Sequence, residues 1–291
     1  MKKPAISYAT PVAFRQALET RLGNVARDEG VDVQRLRRQV AFDRLLCRVF
    51  HTPDSPWALK GGYAMELRLH MTRTTKDIDL SWRGKLKAAG KKEVPAILRE
   101  KLQEVASIDL SDHFTFLIGE VILDLDAAPY GGGRFPVEAR MAGRVFARFH
   151  IDVGVGDAVL NPLEEINARD WLDFAGIPAH SFPSISREQQ FAEKLHAYTL
   201  PRKGTPNTRV RDLVDMVLLI RMKIDPATTR EAVSATFKKR AKHELPSELI
   251  PPPADWAKLY GELAKECRLT ETLTQAFAVV DEFFKHNLRK G

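Results

Sequence analysis

The chain has 291 residues, 44% of them hydrophobic, and a formal net charge of +7, so one large or two modest domains can bury a sizeable core without staples. Its two cysteines, Cys47 and Cys267, lie outside any CxxC pair or Cys/His cluster, which argues against structural zinc and fits a reducing cytosol. The start, Met1-Lys2-Lys3-Pro4, lacks the apolar run of a signal peptide, no stretch of about 18 apolar residues is available to cross a membrane, and the basic balance admits a polyanionic partner.

The first 50 residues read as helical, with Thr10-Pro11 as cap and first turn and with Leu36, Val40, Leu45, Leu46 and Val49 at helical spacing. Arg35, Arg37, Arg38, Arg44 and Arg48 on this stretch are expected to form a solvated face, or else to line a ligand or RNA groove. A strand-like Trp57-Ala58-Leu59-Lys60 runs into Gly61-Gly62, a short helix to Leu69, a polar loop, and a second strand from Asp77 to Trp82. Lysine- and glycine-rich residues 84–93 read as a loop and Val94 to Val105 as a helix. Strand-like runs follow at 114–118, 121–126 and 145–155, with Gly131-Gly132-Gly133 marking a turn. After about residue 185 the pattern is helical, at 186–198, 209–220, 254–265 and 270–288, broken by Pro251-Pro252-Pro253. The order implies an α+β chain: a small mixed or antiparallel sheet flanked by helices in residues 1–185, then a helical region in 186–291.

The stretch richest in chemistry is Leu59-Lys60-Gly61-Gly62, followed fourteen residues later by Asp77-Ile78-Asp79. A strand's side-chain period of two puts Asp77 and Asp79 on one face, with Ile78 and Leu80 on the other. Adjacent carboxylates repel unless a cation lies between them, and magnesium favours hard carboxylate oxygens together with substrate phosphates. The glycines let backbone amides approach a triphosphate at the start of a helix. Asp124-Leu125-Asp126 repeats the acidic pattern without the glycines and reads as the polar face of a strand. Asp152, late in an apolar run, is the candidate third metal ligand; otherwise it ends that strand facing water. In the helical part, Lys194 could reach a phosphate and pair with Asp212; the plainer reading is a surface salt bridge worth less than about 1 kcal/mol.

These motifs occur in a familiar order. Leu59-Lys60-Gly61-Gly62, Arg73-Thr74-Thr75-Lys76-Asp77-Ile78-Asp79-Leu80, Ile151-Asp152, Glu193-Lys194-Leu195 and Arg211-Asp212-Leu213-Val214-Asp215 together resemble the AbiEii/AbiGii nucleotidyltransferase toxin family, which includes the MenT toxins. The similarity runs from Phe14 to about residue 222. It implies a DNA polymerase β-like nucleotidyltransferase core with a helical C-terminal region, and Mg2+-dependent transfer of a nucleotide from an NTP. In better understood relatives the acceptor is the 3′ end of tRNA. Family members act as toxins beside a separate antitoxin, in type IV toxin–antitoxin or phage-defence modules. By position, Asp77 and Asp79 hold metal and nucleotide with Gly61 and Gly62, and Lys194 and Asp212 fall on the family's essential lysine and aspartate. The family's first motif often has Gly-Ser, where this chain has Gly61-Gly62.

The expected chemistry is therefore nucleotidyl transfer, with Asp77, Asp79 and Asp152 as metal ligands and with Lys60, Arg73 and Lys194 neutralising triphosphate charge. Basic segments Arg202-Lys203, Arg209–Arg211 and Lys238-Lys239-Arg240 favour an RNA acceptor over a protein hydroxyl, the competing acceptor. A third alternative is a non-catalytic RNA- or partner-binding protein on the same scaffold. The sequence has no GxxxxGK[ST], HExxH or GxSxG motif, so P-loop, zinc-protease and serine-hydrolase chemistry are unsupported.

Overall fold

The chain enters its first helix, α1 (Pro11–Glu29), through Thr10, whose hydroxyl accepts from the Ala13 amide, while Pro11 fixes the φ of the first turn. Gly30, at φ 65°, closes α1 in the left-handed region. Asp32 then caps α2 (Val33–Val49) by accepting from the amides of Gln34 and Arg35. The structure is a computed structural model and describes residues 8–69, 75–87, 90–125, 128–202 and 204–289. The described residues of Met1–Arg68, Thr74–Val155 and Glu164–Ser184 form one compact unit. Those of Leu69–Arg73, Gly156–Leu163 and Ile185–Gly291 form a second.

The first unit is built on a mixed sheet of β1 (Trp57–Lys60), β2 (Asp77–Trp82), β3 (Phe114–Ile118), β4 (Leu123–Asp124), β5 (Gly132–Met141), β6 (Arg144–Val155), β7 (Glu164–Asn167) and β8 (Ser181–Ser184). The order is β3-β5-β6-β2-β1-β8-β7, with β4 on β5. Central β2 runs antiparallel to β1 and parallel to β6. Helices α3 (Gly61–Leu69) and α4 (Val94–Ala106) join α1 and α2 around it. Ile78 and Leu80 of β2, with Ile151 and Val153 of β6, are fully buried in one core with Phe14, Leu18, Val40 and Leu45 of the first two helices.

Two expectations hold only in part, for physical reasons. Gly131, at φ 88°, does close the turn between β4 and β5 with its amide on the Ala128 carbonyl, but Gly132 and Gly133 open β5 itself. A Cβ on Gly132 would stand 2.1 Å from the Val153 carbonyl oxygen of β6, so only glycine lets the two backbones approach this closely. The ten residues of β5 carry a weak strand signal because Arg134, Pro136, Glu138 and Arg140 interrupt its apolar character; its buried Phe135, Val137, Ala139 and Met141 nonetheless alternate strictly. Three of the five α2 arginines are not a solvated face either. Arg44 and Arg48 are buried on Asp112, at 2.6 Å and, through two contacts, 2.9 and 2.7 Å, and Arg35 is buried on Glu66 at 2.5 Å. Those acids come from distant elements, so sequence spacing gave no sign of them.

The second unit holds α5 (Arg187–Thr199), α6 (Val210–Arg221), α7 (Pro226–Arg240), α8 (Trp256–Glu266) and α9 (Leu273–Asn287). Helix α7, absent from the sequence reading, starts on an Asp225 cap followed by Pro226. Among the described residues, no helix is long and apolar enough to cross a membrane.

Candidate active site

Strand register composes the site. Lys60 of β1 lies opposite Asp79 of β2, Asp79 beside Asp152 of β6, and Asp152 opposite Arg134 of β5. Residues paired across a sheet share a face, so these form one transverse row: cation, acid, acid, cation. Asp77, two residues before Asp79, joins the same face and pairs in register with His150. The outward face of β2 is acidic because its other face, Ile78 and Leu80, fills the core.

The glycine doublet abuts this row. Gly61 sits at φ 68°, and a Cβ there would lie 2.0 Å from Asp79 Oδ2. Glycine is thus required twice at one position, for its backbone and for its neighbour. The Gly62 amide donates to Asp79 Oδ2 at 3.4 Å. Behind the doublet, Tyr63 and Glu66 of α3 are buried against α2: the Tyr63 hydroxyl donates to Asp43 at 2.5 Å, and Glu66 also accepts from Gln39 at 2.6 Å. Burial pushes the Asp43 carboxyl up to about 7, against the lowering influence of Tyr63.

Arg134, missing from the sequence reading, forks Asp152, with Nε to Oδ1 at 2.8 Å and a terminal nitrogen to Oδ2 at 2.7 Å. The same guanidinium reaches Asp77 Oδ2 at 3.6 Å. The bond to Asp152, opposed by partial burial and aided by the charges of Asp152, Asp77 and Asp79, holds the guanidinium charged more firmly than an ordinary arginine. His150 Nδ1 lies 3.1 Å from Asp77 Oδ1.

Asp77 and Asp79 offer hard oxygens on one face, suited to a divalent cation. Asp152 gives both of its oxygens to Arg134, and among the described residues no three His, Cys, Asp or Glu side chains converge as a ready-made metal cage. An arginine lodged among three carboxylates is itself a sign that this face calls for positive charge. The donor set therefore fits a divalent ion at Asp77 and Asp79, with Asp152 able to contribute once Arg134 releases it. Arg73 lies outside the described residues, as does Asp126; Asp124 is exposed on short β4, away from the row.

In the second unit, Lys194 of α5 contacts Asp212 Oδ1 and Asp215 Oδ2 of α6, each at 2.9 Å. Lys194 retains 17% side-chain exposure and Asp215 none, so the surface-bridge alternative is excluded. Asp212 occupies the first turn of α6, where the helix dipole favours an acid. Asp215 had a legible sign, its i,i+3 spacing from Asp212. Of the basic segments expected to face RNA, Arg240 is instead drawn onto Asp157 at 3.0 Å and Glu193 at 3.4 Å, and Lys203 lies outside the described residues.

A mixed sheet carrying an acidic central strand beside a glycine turn is the architecture of a nucleotidyltransferase fold. MenT4, a nucleotidyltransferase toxin from Mycobacterium tuberculosis, shares it with a TM-score of 0.55 at 17% identity, over 90% of this chain and 88% of that one. JHP933 from Helicobacter pylori matches with a TM-score of 0.46 at 15% identity, over 84% of this chain and 90% of that one. No curated protein sequence matches the chain significantly. The model of the nucleotidyl transferase AbiEii toxin family of type IV toxin–antitoxin systems matches residues 44–284, and the chain belongs to that family. Membership implies an NTP substrate and a cognate antitoxin.

Proposed function

We propose that the protein transfers a nucleotide from an NTP to the 3′ end of an RNA, tRNA being the favoured acceptor, in a Mg2+-dependent reaction that a separate antitoxin restrains. The observation that carries this reading is the row Lys60, Asp79, Asp152, Arg134, with Asp77 on the same face and the Gly61-Gly62 turn against Asp79. A cytoplasmic setting and a role in phage defence belong to the same proposal.

Asp77 and Asp79 would hold the metal, with Asp152 as its further ligand; bound there, Mg2+ supplies charge that offsets the triphosphate. Gly61 keeps the Asp79 carboxylate in place, because any larger residue displaces it. Lys60, in register with Asp79, would neutralise phosphate charge as it develops on the leaving pyrophosphate. The Asp152 carboxylate, on the next strand, orients the acceptor hydroxyl for in-line attack at the α-phosphorus. By resemblance Lys194 and Asp212 stand at the family's essential lysine and aspartate, and Asp212 and Asp215 fix the Lys194 ammonium.

The test incubates purified protein with total RNA, total protein and each α-labelled NTP in magnesium. Label is expected at the 3′ end of tRNA, and Asp79→Asn is expected to abolish it while the variant still folds. Full transfer by Asp79→Asn would refute the site, and label on protein alone would refute the acceptor.

A further inference from the structure

On the side of β2 away from the glycine turn, a cleft of about 660 Å³ opens at Asp77. Its walls come from α2, β3, β5 and β6, all within the first unit. Arg38, Lys76, Arg134 and Arg148 line it against only two carboxylates, Asp77 and Glu138. Glu138 is already claimed by Arg140 and Arg148, and Arg134 by Asp152. Arg38 and Lys76 are different. Neither makes a hydrogen bond or ion pair with the described residues, and the Nε of Arg38 is buried without a partner. Among the described residues no carboxylate neutralises the Arg38 guanidinium, and an anion in the cleft would offset its half-buried charge. Apolar surface is offered by Pro136 and by Leu117, which is 49% exposed although large and hydrophobic; Val137 and Phe149 border the cleft with their side chains in the core.

Unsatisfied cations beside exposed apolar surface suit a ligand that is polyanionic along its length and presents flat apolar rings. That describes single-stranded nucleic acid. The cleft has the size of a small-ligand site, so it accommodates the end of a strand and not the face of a duplex. It also lies on the opposite flank of β2 from Gly61 and Gly62, so a donor against the glycines leaves it free. We propose that this cleft seats the unpaired 3′ end of the RNA acceptor, with Arg38 and Lys76 on its phosphates and Leu117 under a terminal base. The assignment rests on the nucleotidyl-transfer reading above and specifies where its acceptor binds.

The experiment measures fluorescence anisotropy of a labelled single-stranded oligoribonucleotide with the full chain across a salt series, without NTP. Mg2+–NTP affinity is measured separately by calorimetry. Arg38→Ala and Lys76→Ala should each weaken RNA binding about tenfold and make the slope of log affinity against log salt shallower by about 0.7. NTP affinity should be unchanged. If Arg38→Ala fails to fold, Lys76→Ala, at an exposed position, carries the test alone. Unchanged RNA affinity in the folded variants overturns the proposal, and so does a parallel fall in NTP affinity, which would make the cleft the donor's. Failure of the unaltered chain to bind any NTP would instead sink the nucleotidyl-transfer reading.

Discussion

Gly61 bears two constraints in one residue, a left-handed φ of 68° and an Asp79 oxygen 2.0 Å from where a Cβ would stand. In Gly61→Ala the cheapest relief is displacement of the Asp79 carboxylate. We expect transfer to fall on the order of 100-fold, as for a reacting group misplaced by about 1 Å, with a stability loss of about 1–2 kcal/mol from the backbone alone. Labelled-nucleotide transfer and urea unfolding check both; a variant with an unaltered rate would show that Asp79 has no fixed position to lose. Arg134 makes the opposite case, a cation occupying ground where a metal is wanted. Arg134→Met should tighten Mn2+ binding, read by calorimetry without NTP, because it removes a competitor from Asp152 and Asp77. Weaker binding would mean that Arg134 instead orients Asp152 for the metal. The sequence displayed Asp77 and Asp79 openly, since a period of two puts them together. It hid Arg134, whose meaning depends on the β5–β6 register, set eight residues away at the Ala142-Gly143 hairpin turn and shifted by a bulge at Ala139/Arg140.

Helix α3 carries the glycine turn, and what anchors it is polar. Tyr63 and Glu66 are tied to Asp43, Gln39 and Arg35 of α2 inside the core. Because burial raises Asp43 to about 7, the folded protein retains a proton there that the unfolded chain releases near the ordinary aspartate value of about 3.9. Its contribution is fully present below that lower value and is lost as pH rises to about 7. The linked destabilisation on reaching neutral pH is roughly 4 kcal/mol. Asp43→Asn should flatten this slope and be the more stable protein at pH 8, measured by urea unfolding at pH 5 and pH 8; an unchanged slope would locate the proton elsewhere. Most helices and the strands at Trp57, Asp77, Phe114 and Arg144 were legible from caps and periodicity. The burial of the α2 arginines was not, since Asp112 and Glu66 arrive from other parts of the chain. Helix α7 and strand β5 give weak sequence signals because charged side chains mask their apolar faces.

At the scale of the whole chain, membership of a toxin family makes a prediction that needs no substrate assignment. Induced expression should slow bacterial growth, and Asp79→Asn should restore it at equal protein levels, checked by growth curves and immunoblotting. Growth arrest by the Asp79→Asn protein would separate toxicity from the carboxylate row. Parallel strands cannot be joined by a hairpin, so the pairing of β2 with β6 requires a long excursion between them. Here that excursion contains α4, β3, β4 and β5 and delivers Arg134, Leu117 and Glu138 to one margin of the sheet. The insert thus shapes the margin beside Asp77, while Gly132 and Arg134 tie it to β6 and to the acidic row. Relatives with a common reactive strand but divergent inserts would be expected to diverge in what they modify, and exchanging residues 94–141 between two of them should carry that preference along.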